Sequence, residues 1–337
     1  MPETAGSSGT YQQIAILGSG AWGTALAAVA AQGGQKVTLW SRGAGLAASI
    51  RQTRENRVYL PGVTLPASVT ATSDLDDVSD ADAFLLAVPA QHLHAFLATL
   101  PAVATAGKPL VLCAKGIERD TGMLLTEVLH EVLPASEPAI LSGPSFAHDV
   151  ARGLPTAVTI AARTPVAEKL QAVLGQGSLR PYVTDDLIGV AIGGAAKNVY
   201  AIGCGVADGL GLGESARAAL LARSFAELAR LGEAMGARPA TLMGLSGLGD
   251  LVLTATSASS RNFAFGRALG QGHSLAELRA PDAPLAEGAD TAPALLHRAR
   301  KHAIELPIAE TLAALLRGEM TAGEAIVRLM TRPLKQE

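Results

Sequence analysis

The chain has 337 residues, 49% of them hydrophobic, and a formal net charge of −3. That length allows two domains and a substantial core, while dispersed basic residues without a net positive charge exclude the footprint of a nucleic-acid binder. The only cysteines, Cys113 and Cys204, lack metal-ligand spacing, which argues against a disulfide framework or zinc site and for buried thiols in a reducing cytoplasm.

In chain order, residues 1–12 read as a disordered lead-in. It has neither the basic nor the apolar region of a signal peptide, and Met1 to Gly9 should be dispensable. An apolar strand, Ile14 to Leu17, runs into Gly18-Ser-Gly-Ala-Trp-Gly23 and then an alanine-rich helix, Thr24 to Ala31. This is a G-x-G-x-x-G loop in β-α-β context. Gly18 allows the tight turn, Gly20 the approach of backbone amides to a pyrophosphate, and Gly23 close packing of helix on strand. The phosphates would sit at the positive end of the helix dipole. The closing strand, Lys36 to Trp40, ends in Ser41-Arg42 where an NAD site usually carries an acid about 20 residues past the glycines. A hydroxyl followed by a guanidinium suits a 2′-phosphate and favours NADP(H). A merely solvated Arg42 would let either cofactor bind.

Further strands are expected at Ala83 to Val88, Pro109 to Ala114, Ala139 to Ser142, Thr156 to Ala161 and Leu179 to Val183. Between several of them lie helical patterns such as His92 to Leu100, Met123 to Leu133 and Val166 to Leu174. The class is a Rossmann-like, doubly wound α/β domain over residues 13–185, with ligands gathered at the strands' carboxyl ends. Val88-Pro89-Ala90, Lys115-Gly116 and the small-residue turn Ser142 to Ala147 fall at such ends.

Past Asp185 the strand signal vanishes, and residues 186–337 read as an all-α domain with helix-period apolar spacing. Apolar periods mark Ala216 to Ala234, Arg261 to Leu269, Ala292 to His302 and Ala309 to Leu316. The tract Leu187 to Gly213 is long and apolar but broken by Lys197, Asn198, Asp208 and glycines, so it reads as a buried interdomain helix rather than a membrane span. An ammonium at Lys197 in such surroundings needs a partner or a lowered pKa, and a lowered pKa lets it exchange protons near neutrality. Asp250 reads as a lone carboxylate in a glycine-rich turn. Ser260-Arg261-Asn262 at a helix start offers a hydroxyl, a bidentate cation and an amide to a phosphate.

Together these stretches closely resemble the bacterial NAD(P)-dependent glycerol-3-phosphate dehydrogenase family. The matching runs are Gly18 to Ala27, Asn56-Arg-Val-Tyr-Leu-Pro-Gly62, Ala87-Val-Pro89, Lys115-Gly-Ile-Glu118, Ser142 to Ala147 and Gly153 to Val158. Lys197-Asn198, Gly244 to Thr254, Ser260-Arg-Asn262, Phe265-Gly266 and Glu287-Gly288 continue the match in order. The resemblance implies a cytoplasmic enzyme that interconverts dihydroxyacetone phosphate and sn-glycerol 3-phosphate and supplies phospholipid synthesis. It also implies cofactor contacts at Ser19, Trp22, Arg42, Ala147, Leu285 and Glu287, and substrate contacts at Gly143, Ser145, Asp250, Ser260 and Asn262. Lys115 and Arg261 would meet both ligands, and Lys197 would be the proton-exchanging group.

Ketone reduction needs a hydride donor, a proton donor and a clamp for the phosphate. Lys197 supplies the proton, Lys115 the positive charge at the developing oxyanion, and Asp250 orients the lysines. Arg261 holds the phosphate, and no metal is needed. Two rival readings are a two-domain 3-hydroxyacid-type dehydrogenase and a non-catalytic NAD(P)-binding sensor. The partner is a small phosphate substrate, with no stable membrane insertion, and the apolar helical domain allows a homodimer.

Overall fold

The computed structural model describes residues 10–280 and 282–333. The stretch Met1 to Gly9, read as dispensable, lies outside them. The lead-in ends earlier than residue 12. Tyr11 packs on the core under Lys169, whose Nζ stands 5.8 Å from the ring centroid, and the Gln12 amide donates to Asp82 at 2.7 Å.

Ten strands precede the helical half: β1 (Gln13–Leu17), β2 (Lys36–Trp40), β3 (Glu55–Asn56), β4 (Leu60–Thr64), β5 (Val69–Thr72), β6 (Ala83–Leu86), β7 (Pro109–Leu112), β8 (Glu137–Ser142), β9 (Thr156–Ala161) and β10 (Leu179–Thr184). Eight of them form one sheet in the order β10-β9-β8-β7-β6-β1-β2-β5, and β3 with β4 makes a separate antiparallel hairpin. The main sheet is parallel from β5 to β8, and β9 pairs with β8 antiparallel. Thr156 to Ala161 reads the same in either direction, because a strand covered on both faces is a continuous apolar run. The strands that begin at Ala83 and Pro109 are two residues shorter than expected, ending at Leu86 and Leu112. The edge strand β5, the hairpin and the helix Ala44–Thr53 carry short or mixed patterns that the apolar period does not reveal.

The parallel arrangement brings the carboxyl ends of β1, β2, β6 and β7 to one edge. There α1 (Ala21–Gln32) begins. Gly18 sits at φ +116°, and a Cβ at Gly23 would lie 1.8 Å from the Gly18 carbonyl oxygen, so loop and helix touch backbone to backbone.

Beyond β10 every element among the described residues is helical. The 23-residue helix α2 (Leu187–Gly209) is long and apolar enough to cross a membrane, yet it runs through the protein interior. Around it pack α3 (Gly213–Ala234), α4 (Asp250–Thr256), α5 (Arg261–Gly270) and α6 (Glu287–Lys301). The contact between α2 and α5 is made by glycines. A Cβ at Gly205 would stand 2.1 Å from the Phe263 carbonyl oxygen, and one at Gly266 would stand 2.0 Å from that of Ile202. That approach fixes the start of α5 against the middle of α2.

Candidate active site

Lys115 follows β7, Lys197 lies in the middle of α2, and Asp250 is the first residue of α4. The fold joins all three. Lys115 Nζ donates to Asp250 Oδ2 at 2.5 Å, and Lys197 Nζ donates to Asp250 Oδ1 at 2.6 Å. Asp250 is therefore not a lone carboxylate in a turn. It caps one turn of π-helix, Leu245–Gly249, and opens α4 with a relative exposure of 1%.

Two further acceptors complete the cluster. The Gly143 carbonyl receives Lys115 Nζ at 3.0 Å, and Thr254 Oγ1 receives Lys197 Nζ at 2.7 Å. Thr254 is one helical turn beyond Asp250, and its hydroxyl donates back to Oδ1 at 3.3 Å. An ammonium has three N–H donors. Each lysine thus spends two on protein atoms among the described residues and keeps one. Burial lowers the Lys197 pKa to about 8; Asp250 opposes that shift and Lys115 adds to it. Burial alone would raise the Asp250 carboxyl, but the two ammoniums outweigh it and hold the group below its ordinary range.

A second polar line ties the cluster to α5 and α6. Asn198 Nδ2 donates to the Lys115 carbonyl at 3.3 Å, Asn262 Nδ2 donates to Asn198 Oδ1 at 3.0 Å, and the Gly288 amide donates to Asn262 Oδ1 at 2.9 Å. The Asn262 side chain is largely engaged by the protein. Ser260 likewise serves as N-cap of α5, its Oγ accepting from the Phe263 amide at 3.2 Å. Arg261, the first residue of α5, is left exposed. Glu287 opens α6 close enough to feel Arg261, Lys197 and Lys115; burial raises its pKa and Arg261 opposes this most. The Ala90 amide, at the end of the Val88-Pro89-Ala90 turn, also favours the ionised carboxylate.

Ser145 bends back to the Gly143 carbonyl at 3.1 Å, and Ala147 begins the short helix Ala147–Ala151. Leu285 precedes α6 with its side chain in solvent.

The glycine loop fits a dinucleotide. A Cβ added at Gly20 would meet nothing within 4 Å, so its outer flank is open. No side chain caps α1, and the first-turn amides of a helix have no partner inside it. Trp22 lies in that turn, half-buried. Ser41 does not present its hydroxyl outward. It is buried, and Ser19 Oγ donates to Ser41 Oγ at 2.8 Å, so Arg42 alone faces outward at the end of β2.

Residue reading missed Thr254 and the linking role of Asn198. The spacing of Asp250 and Thr254, four apart in a helical run, would have signalled the first. Nothing local signals the second.

The model of the NAD-dependent glycerol-3-phosphate dehydrogenase N-terminus matches residues 13–167, and that of the same family's C-terminus matches residues 186–327. The chain is 51% identical over 328 residues to a protein of Parvibaculum lavamentivorans named glycerol-3-phosphate dehydrogenase NAD(P)+, covering 97% of this chain and 98% of that one. A Methylobacterium radiotolerans protein of the same name is 55% identical over 327 residues, with 96% and 98% covered. The crystal structure of glycerol-3-phosphate dehydrogenase from Coxiella burnetii superposes with a TM-score of 0.90 at 37% identity, covering 95% of this chain and 99% of that one.

Proposed function

The chain belongs to the NAD-dependent glycerol-3-phosphate dehydrogenase family, and from that premise we propose how its residues interconvert dihydroxyacetone phosphate and sn-glycerol 3-phosphate with NAD(P)(H). The observation that carries the mechanism is the pair of lysines sharing one buried carboxylate, each with one donor unspent.

The loop Gly18 to Gly23 and the start of α1 hold the pyrophosphate of the cofactor, which supplies the hydride when bound. Ser19, Trp22, Arg42, Ala147, Leu285 and Glu287 complete its binding surface. Lys197 handles the proton. In reduction its ammonium donates to the ketone oxygen; in oxidation its neutral amine takes the hydroxyl proton. Asp250 and Thr254 fix the direction of Nζ, and Lys115 places positive charge beside the oxygen where negative charge develops. Gly143 and Ser145 line the polyol side. Arg261, Ser260 and Asn262 at the start of α5 hold the phosphate, Arg261 by its exposed fork and the others through the helix terminus. We place the enzyme in the cytoplasm, with its two cysteines as free buried thiols, and assign it a homodimeric assembly.

The test is NADPH oxidation followed by absorbance. Dihydroxyacetone phosphate should support turnover, while dihydroxyacetone lacking the phosphate and a 3-keto acid should not. Preference for the keto acid would move the chain to the rival dehydrogenase class, and cofactor binding without turnover would make it a sensor. The pH profile carries the sign of the Lys197 assignment. With burial lowering its pKa to about 8, reduction needs the charged form and should fall as pH rises through that value, whereas oxidation should rise.

Cofactor choice rests on Arg42. Arg42→Ala should weaken NADPH roughly ten- to a hundred-fold and NADH much less, because only NADPH carries the 2′-phosphate. Dissociation constants at one ionic strength decide it. Equal losses would mean that Arg42 touches a part common to both cofactors.

A further inference from the structure

The hairpin β3–β4 carries Asn56, which lies outside the β-α-β unit and is fully buried. Its amide protons are spent on the phosphate loop and on the first turn of α1. Nδ2 donates to the Ser19 carbonyl at 2.8 Å and to Thr24 Oγ1 at 2.8 Å, while Oδ1 accepts from the Tyr59 amide at 3.2 Å. The hairpin's own backbone therefore orients the amide that grips the loop.

We propose that Asn56 is a positioning residue for cofactor binding, holding the Ser19–Gly20 peptide plane so that the Gly20 N–H points at the pyrophosphate. In a trans peptide the carbonyl and the N–H point in opposite directions. Asn56 draws the Ser19 carbonyl into the protein, which sends the Gly20 N–H the opposite way, and a Cβ at Gly20 would meet nothing within 4 Å. A flip of the same peptide would aim a carbonyl oxygen at the phosphates, and glycine opposes such a flip least of all residues. The hydroxyl bond from Ser19 to Ser41 acts on the side chain and leaves the following peptide free. That peptide is held by Asn56 at 2.8 Å, and the Thr24 hydroxyl, which Asn56 also binds, adds a longer bond to the same carbonyl at 3.4 Å. The effect of Asn56 is common to NADH and NADPH, since both carry the same pyrophosphate, and so differs from the discrimination assigned to Arg42. The proposal rests on the cofactor reading above.

Asn56→Leu keeps the size, adds no charge and removes the donor. The dissociation constants of NADPH, NADH and ADP should all rise by one common factor, about ten- to a hundred-fold. Adenosine, which has no pyrophosphate, should bind as it does to the wild type, and the apparent KM for cofactor should rise with kcat little altered. Unchanged ADP affinity, or an equal loss for adenosine, would overturn the proposal. If the variant does not fold, the wild-type protein labelled with 15N-glycine still decides: ADP should move the Gly20 amide proton downfield, and an unmoved resonance would overturn it. Wild-type protein that fails to turn over dihydroxyacetone phosphate would refute the function itself. Normal wild-type turnover with unchanged ADP affinity in Asn56→Leu would refute only the role of Asn56.

Discussion

Replacing Lys197 with alanine is expected to abolish turnover while leaving NADPH affinity near the wild-type value. The side chain sits in the helical half, and its three donors divide between Asp250, Thr254 and the position where a substrate oxygen would lie. Loss of a general acid–base group costs about 10²- to 10⁴-fold. The fold should survive, because the Asp250 carboxylate keeps Lys115 at 2.5 Å and is not left an unpaired buried charge. Raising the pH should not restore the variant, since Lys115 stays tied to Asp250 and the Gly143 carbonyl. Steady-state rates and a cofactor titration on one preparation test this, and near wild-type turnover would remove Lys197 from the mechanism.

Gly266→Ala should destabilise the protein although it lies inside a helix, where alanine is ordinarily favoured over glycine by about 1 kcal/mol. The new Cβ would stand 2.0 Å from the Ile202 carbonyl oxygen, a backbone atom that no rotamer change can move away. α2 and α5 would have to part, and overpacking of this kind costs about 1–3 kcal/mol, occasionally more. Because α5 begins with Ser260, Arg261 and Asn262, the same displacement should raise the KM for the phosphate substrate. Gly323→Ala is the control, since a Cβ there meets nothing within 4 Å and should stabilise slightly. Thermal melts of both variants would show it; equal effects would mean that the close contact carries no energetic weight.

The parts of this molecule that local chemistry dictates could be read directly. The glycine loop, β1 and β2 declare themselves within thirty residues, and the helical half follows from its apolar period once strand-like runs cease. The ends of β6 and β7 led to Lys115 and the turn beside Ala90 because parallel strands collect their carboxyl ends on one edge. The pairing was legible only from what the reaction demands, which had Asp250 orient both lysines; Asp250 and Lys115 are 135 residues apart, and no local period or motif states it. The direction of a hydroxyl is equally silent: Ser41 is buried, and its hydroxyl meets that of Ser19. Asn56 was visible as a residue of a matching motif, but its grip on the loop depends on how the hairpin folds back.

The ion cluster has a mechanical consequence. Lys115 belongs to the sheet half, whereas Lys197 and Asp250 belong to the helical half, so the bonds that set the proton-handling geometry also pin the two bodies together at that point. Swinging them apart there would pull a cation from a buried carboxylate and break a charge-assisted hydrogen bond. The seam beneath Lys115 is therefore a point of attachment between the sheet and the helices, while Arg261 and Leu285 beside it border solvent.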